Sequence, residues 1–382
     1  VSDKVFLKSL KTYNQTDVDE AIEKLFDDCG IDELLSDKRH ILLKPNLLMK
    51  ARPDEAVTTN PAVIAAVIKS IRRRTDAEIV IADSPGGTYN KLRMASVYET
   101  CGIEQFDGRD GVTVNRDYTS RPSEFSDGDT RKQFDLIEPY YNADIIFNLA
   151  KLKTHEMSGM TGAVKNNFGF IPGLMKPEVH CLIPDKDDFC DFICRLAEFV
   201  APAVNVVDAV VGMEGDGPSG GRPRTFGFIG VSRSPFLLDR VMCHLIGFEV
   251  GSALTVKASV KRGLAPENIA DIEVCGDTEL MNDPITDLLM PKSRDTDFVN
   301  SVPKFLRKPT RKFLEKAAAH PKIDVSKCVG CGRCAEICPQ QTIKIADKKA
   351  VIEYKKCIRC FCCHEVCPMR AIDVKRSRVW KI

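Results

Sequence analysis

The sequence predicts an α/β protein: a large layered domain with a mostly parallel sheet flanked by helices, followed by a small α+β unit at the C-terminus. Three observations carry that prediction. Short apolar runs alternate with amphipathic stretches across residues 1–275, and polar residues gather where those runs end. Eight of the sixteen cysteines repeat one spacing near the C-terminus. Alternation of strand with helix is the pattern of a parallel sheet covered on both faces. With 382 residues, the chain has room for one large domain and a small one. The expected division is an α/β domain over 1–275, a linker over 276–321 and a cysteine-rich domain over 322–382.

The elements follow in order. HILLKPNLL from His40 reads as a buried strand, and NPAVIAAVIKSIRRRT as a helix with Asn60 as N-cap and Pro61 at its first position. EIVIADSP is the next strand, then a helix near 90–101, a strand over 143–153, a helix near 187–200 and a strand over 204–213. FGFIGVS at 226–232, a helix over 234–247, an amphipathic stretch near 253–262 and the strand DIEVC complete the series. Cys190 and Cys194, four apart on an apolar helix face, read as core.

Ligands of such folds gather at the carboxyl ends of the strands, and polar residues stand there. Lys44 and Asn46 leave the first strand, Asp83 and Ser84 the second, and Lys151, Lys153 and His155 the third. TGAVKNNFG then supplies Thr161, Lys165, Asn166 and Asn167, and Asp208, Glu214 and Asp216 accompany the later strand. Four lysines and a histidine among amides predict a pocket for an anion, carboxylate or phosphate in character.

Other motifs carry less. Gly215, Gly217 and Gly220 spell G-x-G-x-x-G, but that fingerprint must open a helix, and Pro218, Gly221 and Pro223 preclude one here. The segment reads as a loop. No phosphate-binding G-x-x-x-x-G-K-[ST] occurs, and six histidines without an H-x-x-x-H pair give no zinc hydrolase. PKFLRKPTRKFLEKAAA, from Pro303, reads as a basic amphipathic linker with a solvated face.

The cysteines are the most specific signal. Cys-x2-Cys-x2-Cys-x3-Cys-Pro occurs at Cys328, Cys331, Cys334, Cys338 and again at Cys357, Cys360, Cys363, Cys367. This is the ligand spacing of a bacterial two-cluster ferredoxin, in which the fourth cysteine of each run serves the other cluster. Two 4Fe-4S clusters are expected, one on Cys328, Cys331, Cys334 and Cys367, the other on Cys357, Cys360, Cys363 and Cys338. Structural zinc would use two pairs of ligands rather than triplets with a remote fourth. The runs form an ungapped 29-residue repeat in which Ile343 and Ile372 each open a short strand. Cys362 lies outside the spacing and reads as a buried thiol beside a cluster.

Composition excludes several classes. A net charge of +1 argues against a chain-wide nucleic-acid or anionic-membrane surface. The longest apolar region, near 196–213, contains Glu198, Pro202, Asn205 and Asp208 and makes a poor membrane span. No signal peptide is read, so a cytoplasmic location is expected, with the cysteines as ligands and free thiols.

LLKPNLL, VTTNPAVIAAVI, IADSPGG, NLAKLKTHEMSGMTGAVKNNFG, VVDAVVGMEGDGPSGG and SPFLLDRV, with CIRCFCCHEVCP behind them, resemble the domain of unknown function family 362 in the same order. The resemblance covers nearly the whole chain and implies an iron-sulfur protein with this fold. It implies that Lys44, Asn46, Asp83, Lys153, His155, Lys165 and Asn166 belong to shared motifs, and it assigns them no roles.

Two functions are expected. In the first, two clusters take single electrons from a carrier such as a reduced ferredoxin or flavodoxin and relay them to an anionic substrate or cofactor. Lys44, Asn46, Asp83, Ser84, Lys151, Lys165 and Asn166 would bind that substrate, Lys153 would neutralise developing charge, and His155 would deliver a proton. In the second, the chain is an electron-transfer or docking protein whose clusters serve a partner enzyme.

Overall fold

The computed structural model describes residues 4–126, 133–183, 185–291 and 320–375. The basic segment from Pro303 lies outside them. Eleven strands build the large unit: β1 (Val5–Ser9), β2 (His40–Pro45), β3 (Glu78–Ile81), β4 (Val112–Val114), β5 (Ser120–Ser126), β6 (Gln133–Ile137), β7 (Ile145–His155), β8 (Gly159–Thr161), β9 (Val204–Glu214), β10 (Arg222–Ser232) and β11 (Val274–Gly276). The main sheet runs β11-β1-β10-β9-β7-β2-β3-β4, with β8 added to β7, and β5 and β6 form a separate antiparallel pair. β9, β7, β2, β3 and β4 are parallel neighbours, whereas β10 is antiparallel to both β9 and β1.

The alternation of side chains along each strand explains why both faces are covered. Ile41 and Leu43 of β2 join a core with Phe26, Val67 and Tyr98 from the helices Gln15–Cys29, Pro61–Arg72 and Lys91–Thr100. Leu42, between them, faces Phe189, Phe192 and Ile193 of the helix Lys186–Val200. Further along β7, Ala150 and Leu152 meet Leu238 and Met242 of the helix Pro235–Leu245. Cys190 and Cys194 are core residues, as expected.

The helices begin where their caps dictate. Asn60 accepts from Ala62 N at 2.9 Å ahead of Pro61, and Ser234 accepts from Leu237 N at 3.2 Å ahead of Pro235. The glycine-rich segment after β9 is a turn leading into antiparallel β10, not the start of a helix. Residues 277–291 of the expected linker pack on the large unit: Ile285 N donates to Leu245 O, and Gly215 N to Leu289 O.

The C-terminal unit holds β12 (His320–Ile323), β13 (Ile343–Ala346), β14 (Lys349–Ile352) and β15 (Ile372–Lys375), with β12 paired to β15 and β13 to β14. Its two halves repeat at the 29-residue interval of the sequence. The short helices Arg333–Glu336 and Cys362–Glu365 correspond, and so do the positive-φ pairs Gly330 with Arg359, Gly332 with Phe361 and Gln341 with Arg370. Ile343 and Ile372 open β13 and β15, as the repeat predicted.

Phe147, fully buried on β7, packs against Phe26 with ring centroids 5.8 Å apart. Phe147→Ala is expected to cost about 3–5 kcal/mol of stability in denaturant unfolding.

Candidate functional site

β2, β3 and β7 deliver their polar residues to one end of the sheet, and three lysines there have no access to water. Lys44, Lys151 and Lys153 are each at most 1% exposed. A buried ammonium must find acceptors or lose its proton, and the three solve the problem differently.

Lys44 Nζ donates to Asp83 Oδ1 at 2.7 Å, while Asp83 Oδ2 accepts from Leu47 N at 2.8 Å. Gly169 closes over this pair; a Cβ there would collide with both the carboxylate and the ammonium. Lys151 Nζ donates to Asp208 Oδ2 at 2.8 Å and to Tyr13 Oη at 2.7 Å. Lys44 and Lys151, expected to bind substrate, are thus each hydrogen-bonded to a carboxylate inside the protein.

Lys153 has no such answer. Its Nζ donates to Asn46 Oδ1 at 2.7 Å and Val57 O at 2.8 Å, both neutral. Because an ammonium only donates, it fixes the orientation of the Asn46 amide. Asn46 Nδ2 then donates to Asn166 Oδ1 at 3.0 Å, Asn166 Nδ2 to Asn148 Oδ1 at 2.8 Å, and Asn148 Nδ2 to Asn205 Oδ1 at 2.8 Å. Asn205 Nδ2 ends the series on Arg233 O at 3.1 Å. Four side-chain amides thus point one way beneath the strand ends, each polarising the next. Burial, reinforced by the nearby charges of Lys165 and Lys151, drives the Lys153 ammonium well below the ordinary lysine range.

The segment carrying Lys165 and Asn166 is held from below. Asp239, on the helix Pro235–Leu245, accepts from Ala163 N at 2.6 Å and Val164 N at 3.0 Å, and Gly162 leaves it the space. Burial pushes the Asp239 carboxyl up to about 7 against the pull of those amides.

These walls enclose a cavity of about 80 Å³, lined by Asn46, Asp83, Ser84, Lys153, Thr161, Lys165 and Asn166 among others. The hydroxyls of Ser84 and Thr161 are buried and have no hydrogen-bond partner among the described residues. Two titratable lining residues of the α/β domain were missed by the sequence reading. Lys176 and His180 stand four apart on the helix Met175–Leu182, so they share a face. That spacing is the only signal that could have found them. Lys176 Nζ donates to Ser84 O, and burial, with Asp83 opposing, brings it down to about 7.

The remaining wall comes from the C-terminal unit: Ile337, Cys362, Glu365 and Val366. The unit seats on the turn that resembled a dinucleotide fingerprint. Ser219 Oγ donates to Glu365 O at 3.0 Å, His364 Nε2 lies 3.3 Å from Asp216 O, and a Cβ on Gly220 would strike the His364 ring. Val366 packs over Gly86, and Gln340 Nε2 reaches Cys181 Sγ at 3.3 Å.

His155 lies behind this wall rather than in the cavity lining. Its Nδ1 accepts from Met157 N at 3.0 Å and Ser158 N at 3.3 Å, so the ring proton belongs on Nε2, 3.3 Å from Glu365 Oε1. Burial, with Lys165 adding to it, pushes His155 down to about 4. Burial works to raise Glu365, but the His155 contact and the charge of Lys165 hold it down to about 2. His155, expected to deliver a proton, thus has one nitrogen accepting from backbone amides and the other facing the Glu365 carboxylate.

The cluster-type cysteines line two smaller cavities. One is bordered by Cys328, Cys331, Cys334 and Cys367, the other by Cys338, Cys357, Cys360 and Cys363, each with room of about 20 Å³. Backbone amides aim at the sulfurs: Ala350 N at Cys328 (3.4 Å), Thr342 N at Cys338 (3.3 Å) and Ala371 N at Cys367 (3.2 Å). The last two are equivalent in the repeat. Among the described residues no three His, Cys, Asp or Glu converge as they would around a single ion. Thiols spread around a void, with amides directed at sulfur, suit a thiolate-bound cube.

The family model described as a domain of unknown function, DUF362, matches residues 41–244, and that of a 4Fe-4S dicluster domain matches residues 320–368. The thylakoid-associated protein sll1697 of Synechocystis sp. is 29% identical over 243 residues, which cover 62% of this chain and 72% of that one. Among solved structures, the lactate racemase apoprotein of Thermoanaerobacterium thermosaccharolyticum aligns with a TM-score of 0.35 and 14% identity. That alignment spans 55% of this chain and about half (51%) of the racemase. No helix among the described residues is long and apolar enough to cross a membrane.

His180, stacked on Phe189 with ring centroids 4.4 Å apart, is also pushed down to about 4 by burial. The ordinary value for the two histidines is 6.5. Between those values the unfolded chain binds protons that the folded chain refuses, so stability falls as pH drops through this window and levels off above it. His180→Phe, which keeps the stack, is expected to flatten that fall in denaturant titrations between about pH 7 and about pH 4.5.

Proposed function

The chain belongs to the DUF362 family, and on that footing we propose that it is an iron-sulfur oxidoreductase passing single electrons to an anionic substrate held at the strand ends. The observation that carries this reading is the shared pocket. One wall is the lysine-bearing rim of the α/β domain; the other includes Cys362, which sits between Cys360 and Cys363 in the cysteine repeat.

Cys328, Cys331, Cys334 and Cys367 would hold one 4Fe-4S cluster, and Cys357, Cys360, Cys363 and Cys338 the second. Bound there, the clusters supply one-electron transfer. The protein's own residues do the rest. Lys153, Lys165 and Lys176 attract and hold the anion, and the hydroxyls of Ser84 and Thr161 offer hydrogen bonds to its oxygens. Asn46 and Asn166 orient Lys153, while Asp83 holds Lys44 and shapes the floor. Lys176, brought down to about 7, is protonated on a fraction of molecules near neutrality and gives a proton to the reduced substrate from Nζ. His155 positions Glu365 and so keeps the second wall in place.

A reduced ferredoxin or flavodoxin is the donor class this reading requires, and nucleic acid has no part in it. Sixteen cysteines with no disulfide among the described residues suit a reducing compartment such as the cytoplasm.

The test is anaerobic reduction of the holoprotein followed by a screen of anionic metabolites and flavins for reoxidation. Lys153→Ala and Lys176→Ala are each expected to keep the visible iron-sulfur spectrum and slow reoxidation by ~100-fold. Undiminished reoxidation in both variants would overturn the catalytic assignment and leave electron transfer to a partner enzyme as the function. Iron is expected at about eight per chain; about four, or stoichiometric zinc, would refute the two-cluster assignment.

A further inference from the structure

The two cysteine-lined cavities differ in what surrounds them. The cavity of Cys338, Cys357, Cys360 and Cys363 is bordered by Gln340, which touches the large unit, and by the buried Phe361; Cys360 packs against the pocket residues Ile337, Cys362 and Val366. The cavity of Cys328, Cys331, Cys334 and Cys367 has a more exposed lining. Cys331 is exposed, and three apolar lining residues stand in water: Val329 at 57%, Met369 at 46% and Ile345 at 40% exposure. Six of the eleven exposed large apolar side chains among the described residues belong to residues 320–375, a small part of the chain. Single exposed apolar residues need no explanation, but a concentration around one cavity marks an interaction surface.

Charge identifies the occupant. Residues 320–375 carry eleven Lys and Arg against six Asp and Glu, a net of +5, in a chain whose total is +1. Bound clusters would offset part of that net, so the rim matters more than the sum. Lys327, Arg333 and Lys344 adjoin or line the cavity in sequence, and Lys348 backs Gly330 in its wall, whereas Arg370 reaches Glu55 of the large unit at 3.8 Å. Asp324 is engaged by Lys327. An apolar centre inside a basic rim is complementary to an acidic protein whose own redox centre lies near its surface.

We propose that the face formed by Val329, Cys331, Ile345 and Met369 docks an acidic one-electron carrier protein, and that electrons enter the chain there and leave through the opposite cavity toward the substrate pocket. Each encounter moves one electron: the carrier is oxidised by one and the chain is reduced by one, with no bond made or broken. The polarity follows from placement, since one cavity carries exposed apolar side chains and Cys360 of the other packs against the pocket residues Ile337, Cys362 and Val366. This inference rests on the two-cluster reading above.

The experiment uses the full-length holoprotein and two probes, a reduced acidic ferredoxin in stopped-flow reduction and the same ferredoxin, oxidised, in calorimetric titration. Val329→Asp/Met369→Glu is expected to weaken binding and slow reduction by the ferredoxin ~10-fold or more, while reduction by dithionite is unchanged. Lys344→Glu/Lys348→Glu, which leaves the apolar centre intact, should lower the rate at low salt and remove most of its salt dependence. If the first variant loses its visible spectrum, the second carries the test alone. Wild-type binding and rates in a folded variant, or reduction insensitive to salt, would overturn the docking surface. A chain without an iron-sulfur spectrum would instead overturn the cluster reading on which it rests.

Discussion

An ammonium buried without a carboxylate is the constraint around which this site is organised. Lys44 and Lys151 are neutralised by Asp83 and Asp208, so their charges are internal to the fold. Lys153, on the same strand as Lys151, meets only an amide and a carbonyl. A deep interior does not tolerate a lone charge. The chain of four asparagines partly compensates, because each amide dipole is set by the one before it and the series ends on a backbone carbonyl. Burial therefore works against the proton on Lys153, and an anion brought beside it would work the other way. On the proposed function, anion binding would favour proton uptake at this residue.

Much of this was legible in the sequence, for physical reasons that can be named. The central strands are buried on both faces and read as near-continuous apolar runs, and Asn60-Pro61 and Ser234-Pro235 announce their helices. Polar residues at strand ends stood out because they interrupt those runs. What each lysine does was not legible, since Lys44, Lys151 and Lys153 look alike until their partners, distant in sequence, are placed. Asp208 lies 57 residues beyond Lys151, and Asn46 lies 107 before Lys153. His155 illustrates the limit: strand-end position suggested an acid, but the amides of Met157 and Ser158 occupy the nitrogen such a role would need free. The strand β1 and the helix Gln15–Cys29, ahead of His40, were not read at all, although Asn14 and Gly30 bracket that helix with clear caps.

The glycine-rich turn after β9 shows how one pattern can serve unrelated ends. Gly217 lies against the Thr154 carbonyl and Gly220 against the His364 ring, so small residues are required because two chains approach closely. The spacing that elsewhere admits a pyrophosphate here admits the C-terminal unit. That unit is a doubled 29-residue element whose halves share turns, helices and amide-to-sulfur bonds, yet the surroundings break the symmetry. One half turns its helix, Cys362–Glu365, to the large unit; the other leaves Cys331 in water.

Glu365 and Val366 belong to the short stretch between Cys363 and Cys367, so the wall of the pocket is made from the same loop that would grip the metal. On the proposed reading one short loop would serve two ends, holding a cube by its cysteines and closing the anion site by Glu365 and Val366, with its seat on Ser219. Damage to the cube would then reach the binding wall as well as the electron source.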